Sequence, residues 1–283
     1  MSAAEVRGIL ARHGLAPSRG RGQNFLVDDR VAAELVALAG VETDDSVIEI
    51  GTGLGILSRA LAARAARVLT LEVDAGLVRA LEAEKLLPAN ATLRHADALA
   101  LDWPALVRER GATRVVANLP YAVSAPLLRG LLDLRGALRD WSVMIQRDVA
   151  DRLLAAPGSR SYSSLTVLHR LCVTLRRERD LAPGLFFPVP GVRSSFVRMT
   201  PRPDAPADDE LARVERLARA AFGQRRKMLA NALRSATLDG AGGGETVGLC
   251  QAAGVDPRAR AESLAPERFV ALARAFAAAG AFP

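Results

Sequence analysis

Lysine is almost missing from this chain of 283 residues, occurring only at Lys85 and Lys227. Nearly all of its 38 basic side chains are therefore arginine. With so much alanine alongside, the balance reads as GC-rich codon usage, and the choice of arginine over lysine carries no functional information. Cysteine is scarce too: Cys172 and Cys250 lie far apart and outside any Cys-x-x-Cys spacing, which excludes a disulfide framework. They read as buried free thiols. The three histidines, His13, His95 and His169, join them in no ligand spacing, so no metal is expected. No apolar run approaches the roughly 18 uninterrupted residues of a membrane span. The stretch Met1–Leu15 carries Glu5, Arg7 and Arg12 and lacks a signal-type apolar core, so a cytoplasmic location is expected. What remains is an excess of positive charge, +7 overall, which points to a polyanionic partner. No basic amphipathic helix stands out, and nucleic acid is preferred to a membrane surface.

The apolar patterning predicts a short helix and then a Gly/Arg-rich segment within residues 1–24. Helices are predicted over Val31–Ala39, Leu57–Ala66, Gly76–Leu86, Ala105–Arg110 and Asp148–Ala155. Strands are predicted over Ser46–Ile50, Arg67–Leu71, Thr92–His95, Arg114–Ala117, Trp141–Gln146, Thr166–Leu175 and Ser195–Met199. Alternation of this kind implies a parallel sheet with helices on both faces. Pro201, Pro203 and Pro206 discourage helix and sheet alike, so a boundary is set there. The expected division is an α/β domain over 1–203 and a smaller all-α domain over 204–283. Asp209–Phe222 and the segments to Ala279 read as helices, broken at Gly240–Gly244. There are no internal repeats.

The first strand runs into Gly51-Thr52-Gly53-Leu54-Gly55, a turn that lets backbone approach a ligand and opens a helix toward an anion. Ile56 stands where a dinucleotide fingerprint has its third glycine, which favours S-adenosylmethionine over NAD. Glu72 ends the next strand, where a carboxylate can accept both ribose hydroxyls; neighbouring Asp74 reads as a helix cap. Asp97, after the third strand, reads equally as a turn residue or as an acceptor for an adenine amine. Asn118-Leu119-Pro120-Tyr121 follows the fourth strand. Alone it is an Asn-x-Pro turn. Beside an S-adenosylmethionine site it suits an exocyclic adenine amine, whose lone pair is delocalised into the ring. The Asn118 side-chain oxygen and the Leu119 carbonyl can accept its two N–H groups and turn the lone pair out of the ring plane. Pro120 stiffens the turn, and Tyr121 offers a face to an unstacked base.

With these residues assembled, the chain resembles the KsgA family of 16S rRNA adenine dimethyltransferases over nearly its full length. The resemblance rests on Gly22–Leu26, Glu49–Gly55, Leu71–Asp74, Asp97-Ala98, Asn118–Tyr121, Phe186–Val192, Phe222–Lys227 and the tail Gly254–Glu262. It implies a Rossmann-like class I methyltransferase domain with a helical C-terminal domain that grips RNA or the small ribosomal subunit. It implies that Asn24 and Leu26 contact the cofactor, that Gly51 and Gly53 line its methionine end, and that Glu72 and Asp97 hold ribose and adenine. Asn118 would serve both cofactor and target amine. Tyr121 and Phe186 would sandwich the flipped adenine, although by itself Phe186 reads equally as a core aromatic. A monomer matches the family. Arg193 departs from it, standing where an acid is usual, and takes no role from the resemblance. Met228 replaces the usual Thr.

Arg19 and Arg21 precede the cofactor motif, and Arg225, Arg226 and Lys227 open the C-terminal helices. Such clusters are usually solvated faces; beside a base-flipping site they are assigned to RNA phosphates. The expected activity is transfer of two methyl groups to N6 of each of two adjacent adenines near the 3′ end of 16S rRNA. An Erm-type 23S rRNA methyltransferase shares the fold, but Leu119, Gly22 and the tail favour KsgA. An assembly factor that mainly binds the immature small subunit is the rival of a different class. A DNA adenine methyltransferase would carry a second proline where Leu119 stands. An NAD oxidoreductase lacks its third glycine and any hydride-transfer acid.

Overall fold

Ser2 opens the first helix through a reciprocal cap: its hydroxyl accepts from Glu5 N at 3.3 Å while the Glu5 carboxylate accepts from Ser2 N at 2.6 Å. From there a computed structural model describes every residue except 19, 21, 235–242 and 281–283. The elements, in order, are α1 (Ala3–Arg12), β1 (Phe25–Leu26), α2 (Asp29–Leu38), β2 (Ser46–Ile50), α3 (Ile56–Ala62), β3 (Arg67–Glu72) and α4 (Ala75–Ala83). Next come β4 (Ala91–His95), α5 (Trp103–Arg110), β5 (Arg114–Asn118), α6 (Ser124–Leu132), β6 (Asp140–Gln146) and α7 (Arg147–Leu153). The remainder are α8 (Ser164–Cys172), β7 (Val173–Leu181), β8 (Phe186–Phe187), β9 (Ser194–Pro201), α9 (Asp208–Gly223), α10 (Leu229–Leu233), α11 (Gly243–Ala252) and α12 (Pro266–Ala278).

The chain forms two units, one of Met1–Ala150 with Arg176–Pro201, the other of Asp151–Leu175 with Arg202–Pro283. A single break at 203/204 would leave Asp151–Leu175 in the first unit, whereas those residues cluster with the second. The run Thr166–Leu175, expected as a strand, is helix as far as Cys172 and strand only from Val173. Ser163 decides this: its hydroxyl accepts from Thr166 N at 3.4 Å and the Thr166 hydroxyl accepts from Ser163 N at 3.1 Å, so the helix is nucleated despite the β-branched content. The helix α6 was not anticipated; it buries Leu127, Leu128, Leu131 and Leu132 on one face. The expected break at Gly240–Gly244 falls largely outside the described residues, and α11 begins at Gly243.

In the first unit a seven-stranded sheet has the order β4-β3-β2-β5-β6-β9-β7. Strands β4 through β6 run parallel, and β9 lies antiparallel to β6. Strand order reverses between β2 and β5, and in open α/β sheets the carboxyl ends at such a switch point are where ligands sit. At the opposite end of the same strands a buried Arg114 is held by Asp45 at 2.7 Å and by Asp140. That network anchors the sheet away from the crevice. Strands β1 and β8 form a separate antiparallel pair, with Phe25 opposite Phe187 and Leu26 opposite Phe186.

The second unit is largely helical. Leu211, Val214, Leu217 and Ala221 of α9 are buried, as are Phe269, Leu272 and Phe276 of α12. Phe222 bridges Tyr162 edge-on at 5.7 Å and Phe269 in a stack at 6.0 Å. The Tyr162 hydroxyl donates to the Leu264 carbonyl at 2.9 Å, which satisfies the one polar atom in that aromatic cluster. Among the described residues no helix is long and apolar enough to cross a membrane.

Candidate active site

The loop after β2 turns on three glycines, all left-handed: φ is 81° at Gly51, 58° at Gly53 and 77° at Gly55. A Cβ on Gly51 would lie 3.4 Å from the Asn118 carbonyl oxygen, and one on Gly53 would lie 3.1 Å from the Phe25 ring. The glycine loop is therefore the floor on which the segment after β5 and the strand β1 both rest. These elements surround a cleft of about 290 Å³ lined by Asn24, Leu26, Gly51, Gly53, Glu72, Asp97, Asn118, Leu119, Pro120 and Tyr121. That volume is near the lower end of the roughly 300–1,000 Å³ typical of small-molecule sites. Sequence reasoning named each of those ten residues, and the fold brings them together.

Glu72, at the end of β3, is buried and accepts from Gly53 N and from Asp74 N, each at 2.9 Å. Burial raises its carboxyl above the ordinary range, and the two backbone donors oppose that rise. Each oxygen keeps a second lone pair for a hydroxyl on the cavity side. Asp74 caps α4 through Gly76 N at 2.9 Å and anchors Gln23 at 3.1 Å, which ties the N-terminal segment down. Asp97 Oδ1 accepts from Leu99 N at 2.9 Å, so it closes a turn while also lining the cleft.

Asn118 Nδ2 donates to the Asn24 carbonyl at 3.0 Å. That bond uses one of the amide's two N–H groups and orients the side chain, leaving Oδ1 as an acceptor. Leu119 is buried and its N–H donates to Met144 O of β6 at 3.1 Å, so the turn hangs from the sheet. Pro120 holds φ at −59°. Tyr121 is partly buried, its phenol pushed up by burial, and its hydroxyl is hydrogen-bonded to Ser194 at 2.8 Å. Gly22 crosses over this turn with φ 62°; a Cβ there would come within 3.0 Å of Tyr121 N. Any side chain would push the N-terminal segment off the site.

Two expectations are corrected. Phe186 does not line the cleft; it is 1% exposed and sits in the core with Leu26, Leu35 and Phe196. Its register opposite Leu26 turns the ring inward, toward that core. Its neighbour Phe187 is covered by the Arg7 guanidinium, 5.3 Å from the ring centre. Arg225 is also not a free cation: it pairs with Glu262 at 2.6 Å and donates to Ser159 O at 3.1 Å, bracing the second unit. Arg226 and Lys227 are exposed. Arg19 and Arg21 lie outside the described residues.

Several lining residues were given no role by the sequence, Val73, Leu99 and Glu49 among them. Val73 and Leu99 are 46% and 48% exposed, conspicuous for large apolar side chains, and flank Glu72 and Asp97. They supply the apolar walls that a flat ring beside those acids requires. Glu49 lies at 0% exposure in β2. A lone carboxylate in the otherwise apolar Val47-Ile48-Glu49-Ile50 was the available signal. Two acids with spare lone pairs, an adjoining apolar pair and a side-chain-free loop together fit a nucleoside bearing an amino-acid tail. Among the described residues no group of three His, Cys, Asp or Glu side chains could hold a metal ion.

Residues 18–278 match the family model described as ribosomal RNA adenine dimethylase. The ribosomal RNA small subunit methyltransferase A of Rhodospirillum rubrum is 42% identical over 277 residues, covering 97% of this chain and 93% of the relative. That of Magnetococcus marinus is 40% identical over 271 residues, covering 95% of each. Among solved structures, a dimethyladenosine transferase from Plasmodium falciparum superposes with TM-score 0.76 at 22% identity, over 91% of this chain and 98% of that one. The 23S rRNA methyltransferase ErmE gives 0.63 at 24% identity, over 89% and 99%. At those identities the two structures speak to fold alone.

Proposed function

The chain belongs to the ribosomal RNA adenine dimethylase family, and from that premise we propose that it methylates N6 of two adjacent adenines in the 3′-terminal hairpin loop of 16S rRNA, giving N6,N6-dimethyladenosines. The methyl donor is S-adenosylmethionine, which supplies an activated methyl group on a sulfonium. The relatives at about 40% identity bear a small-subunit name, which favours 16S over 23S RNA.

Glu72 and Asp97 would take the ribose and adenine of the cofactor between Val73 and Leu99, with Asn24, Leu26, Gly51 and Gly53 along its length. The observation that carries the reading is the Asn118–Asn24 bond, because it leaves Asn118 Oδ1 as an acceptor above the glycine loop. Oδ1 and the Leu119 carbonyl would accept the two N–H groups of the target amine and turn its lone pair out of conjugation. The protein's part is orientation and electrostatics. No strong base is needed, since the amine becomes acidic once methylated. For the second transfer the monomethylated amine keeps one N–H for the same two acceptors. Tyr121, held by Ser194, presents one face to the base. Flipping costs a few kcal/mol, least in an open loop, and stacking on one aromatic returns roughly 1–3 kcal/mol, so a hairpin loop suits the site better than a duplex. Arg226 and Lys227 would contact RNA phosphates.

Asn118→Ala tests this. Methyl transfer to undermethylated small subunits should fall at least about 100-fold, the scale of losing one preorganised acceptor. Binding of S-adenosylhomocysteine should stay within about threefold. Undiminished turnover would remove Asn118 from the mechanism.

A further inference from the structure

Between β8 and β9 the chain crosses from Phe187 to Ser194 through Pro188-Val189-Pro190-Gly191-Val192-Arg193. The segment is held at both ends. Phe187 pairs with Phe25 of β1, and Ser194 stands opposite Gln146 of β6. The Arg193 carbonyl accepts from Arg147 N at 2.9 Å, and Pro188 and Pro190 fix two of the intervening φ angles. Val189 is nevertheless 67% exposed and Val192 45%, two of the five large apolar side chains exposed among the described residues. Val73 and Leu99 are two of the other three, and both line the cleft, so exposure of this kind marks ligand-facing surface elsewhere in the chain. Arg193 is exposed beside them, and among the described residues its guanidinium has no hydrogen-bond or ion-pair partner.

Tyr121 connects this segment to the candidate active site. Its backbone lies in the turn that carries Asn118, and its hydroxyl is hydrogen-bonded at 2.8 Å to the buried Ser194, the residue after Arg193. The ring therefore spans from the two amine acceptors to the end of the segment. In adenine, N6 and the ribose-bearing N9 stand on opposite edges of the ring system. A base resting on Tyr121 with N6 at Asn118 Oδ1 and the Leu119 carbonyl sends N9 toward the hydroxyl end. Its ribose and phosphates then emerge beside Ser194, next to the unpaired cation of Arg193. The planar fork of a guanidinium matches phosphate oxygens, and it carries its charge at every pH of interest.

We propose that Arg193 binds a phosphate of the target nucleotide itself, on one of the two linkages flanking the flipped adenine, with Val189 and Val192 as an apolar rim against its ribose. The proposal rests on N6 of an RNA adenine being the methyl acceptor. It gives a function to a residue to which the family resemblance assigns none. Phosphate contacts set register and orientation without reading sequence. Arg193 thus fixes which nucleotide of an open loop is presented to Asn118, and it does so at the reacting residue, in the same unit as Tyr121.

Subunits reconstituted on 16S rRNA with a synthetic 3′ piece test this. The linkage 5′ or 3′ to a target adenine is either native or an uncharged methylphosphonate. Wild type should lose about tenfold in kcat/KM at one of the two modified linkages, the lower end for a hydrogen bond between charged groups. Arg193→Ala should lose about tenfold on native RNA and nothing further at that linkage. Its salt slope of log K for subunit binding should shrink by about 0.7, the share of one single-strand phosphate, and Arg193→Lys should restore the slope. S-adenosylhomocysteine binding and melting temperature should match wild type, because the side chain is exposed and unpaired. Wild type indifferent to both modified linkages, or Arg193→Ala that transfers at the wild-type rate, keeps the wild-type slope or still loses activity at the modified linkage, overturns the proposal. So does a loss of transfer matched by weaker S-adenosylhomocysteine binding, which would place the effect in the cofactor cleft. Failure of wild type to methylate subunits with native linkages overturns the adenine-N6 reading instead.

Discussion

Raising the pH should destabilise the cofactor-free first unit, and Glu49→Gln should remove the largest part of that loss. The carboxyl of Glu49 stands at about 8 in the fold against an ordinary value of 4.5, chiefly through burial. Between those values the unfolded chain has released this proton while the folded chain retains it. The contribution is complete below the unfolded value and is lost as pH rises through the folded one. A displacement of this size, at about 1.4 kcal/mol per pH unit, sets a ceiling of about 5 kcal/mol. The carboxyl of Glu72 is also raised by burial and pulls the same way, so the informative quantity is the difference between wild type and Glu49→Gln. Urea unfolding followed by tryptophan fluorescence suits the purpose, since both tryptophans, Trp103 and Trp141, lie in the first unit. Near pH 5 the two proteins should differ little; near pH 9 the variant should be more stable by several kcal/mol, with about 5 as the limit. A difference that stays constant across that range would mean that Glu49 is ionised in the empty cleft, and the reasoning would fail.

Gly22→Ala places a Cβ 3.0 Å from Tyr121 N at a left-handed position. Its backbone cost alone is about 1–2 kcal/mol. Steady-state kinetics should show a larger fall in kcat than in cofactor affinity, because the segment over Asn118 and Tyr121 is displaced; unchanged kcat would count against that contact. Charge reversal at Arg226 and Lys227 should weaken subunit binding and reduce the salt slope of log K by about one for each phosphate no longer neutralised. Arg225→Ala should instead lower the melting temperature of the second unit, by loss of a partly exposed pair worth about 1 kcal/mol, and leave the salt slope alone. The reverse assignment would show that Arg225 touches RNA and that its pairing with Glu262 is incidental.

The crevice was legible from sequence because its parts are local. The run Ile48–Gly55 encodes strand, turn and helix start by itself; the acid at 72 ends an apolar run, and the acid at 97 follows the short polar strand Ala91–His95. Asn118 carried its meaning only beside those neighbours. What escaped notice depends on distant partners. Strands β1 and β8 are two residues each and pair across some 160 positions, so no window of sequence reveals them, and Phe186 was given to the cleft when its pairing with Leu26 turns it to the core. Arg225 looked like its neighbours until Glu262 was found 2.6 Å away. Thr166–Leu175 misled because its β-branched residues outweighed the cap at Ser163. Glu49 sat in plain view within a motif, but its unpaired oxygen became visible only with Ser58 and Thr70 in place.

Analysis of the product tests the central claim most directly. Small subunits lacking the 3′-end methylation would be incubated with this protein and isotopically labelled S-adenosylmethionine. The 16S rRNA would then be digested and its nucleosides resolved by mass and position. Label in N6,N6-dimethyladenosine at two adjacent adenines of the 3′-terminal hairpin is the outcome this account predicts. Label on 23S rRNA, or no label while the subunit is bound, would contradict it and assign the fold to another RNA or to assembly.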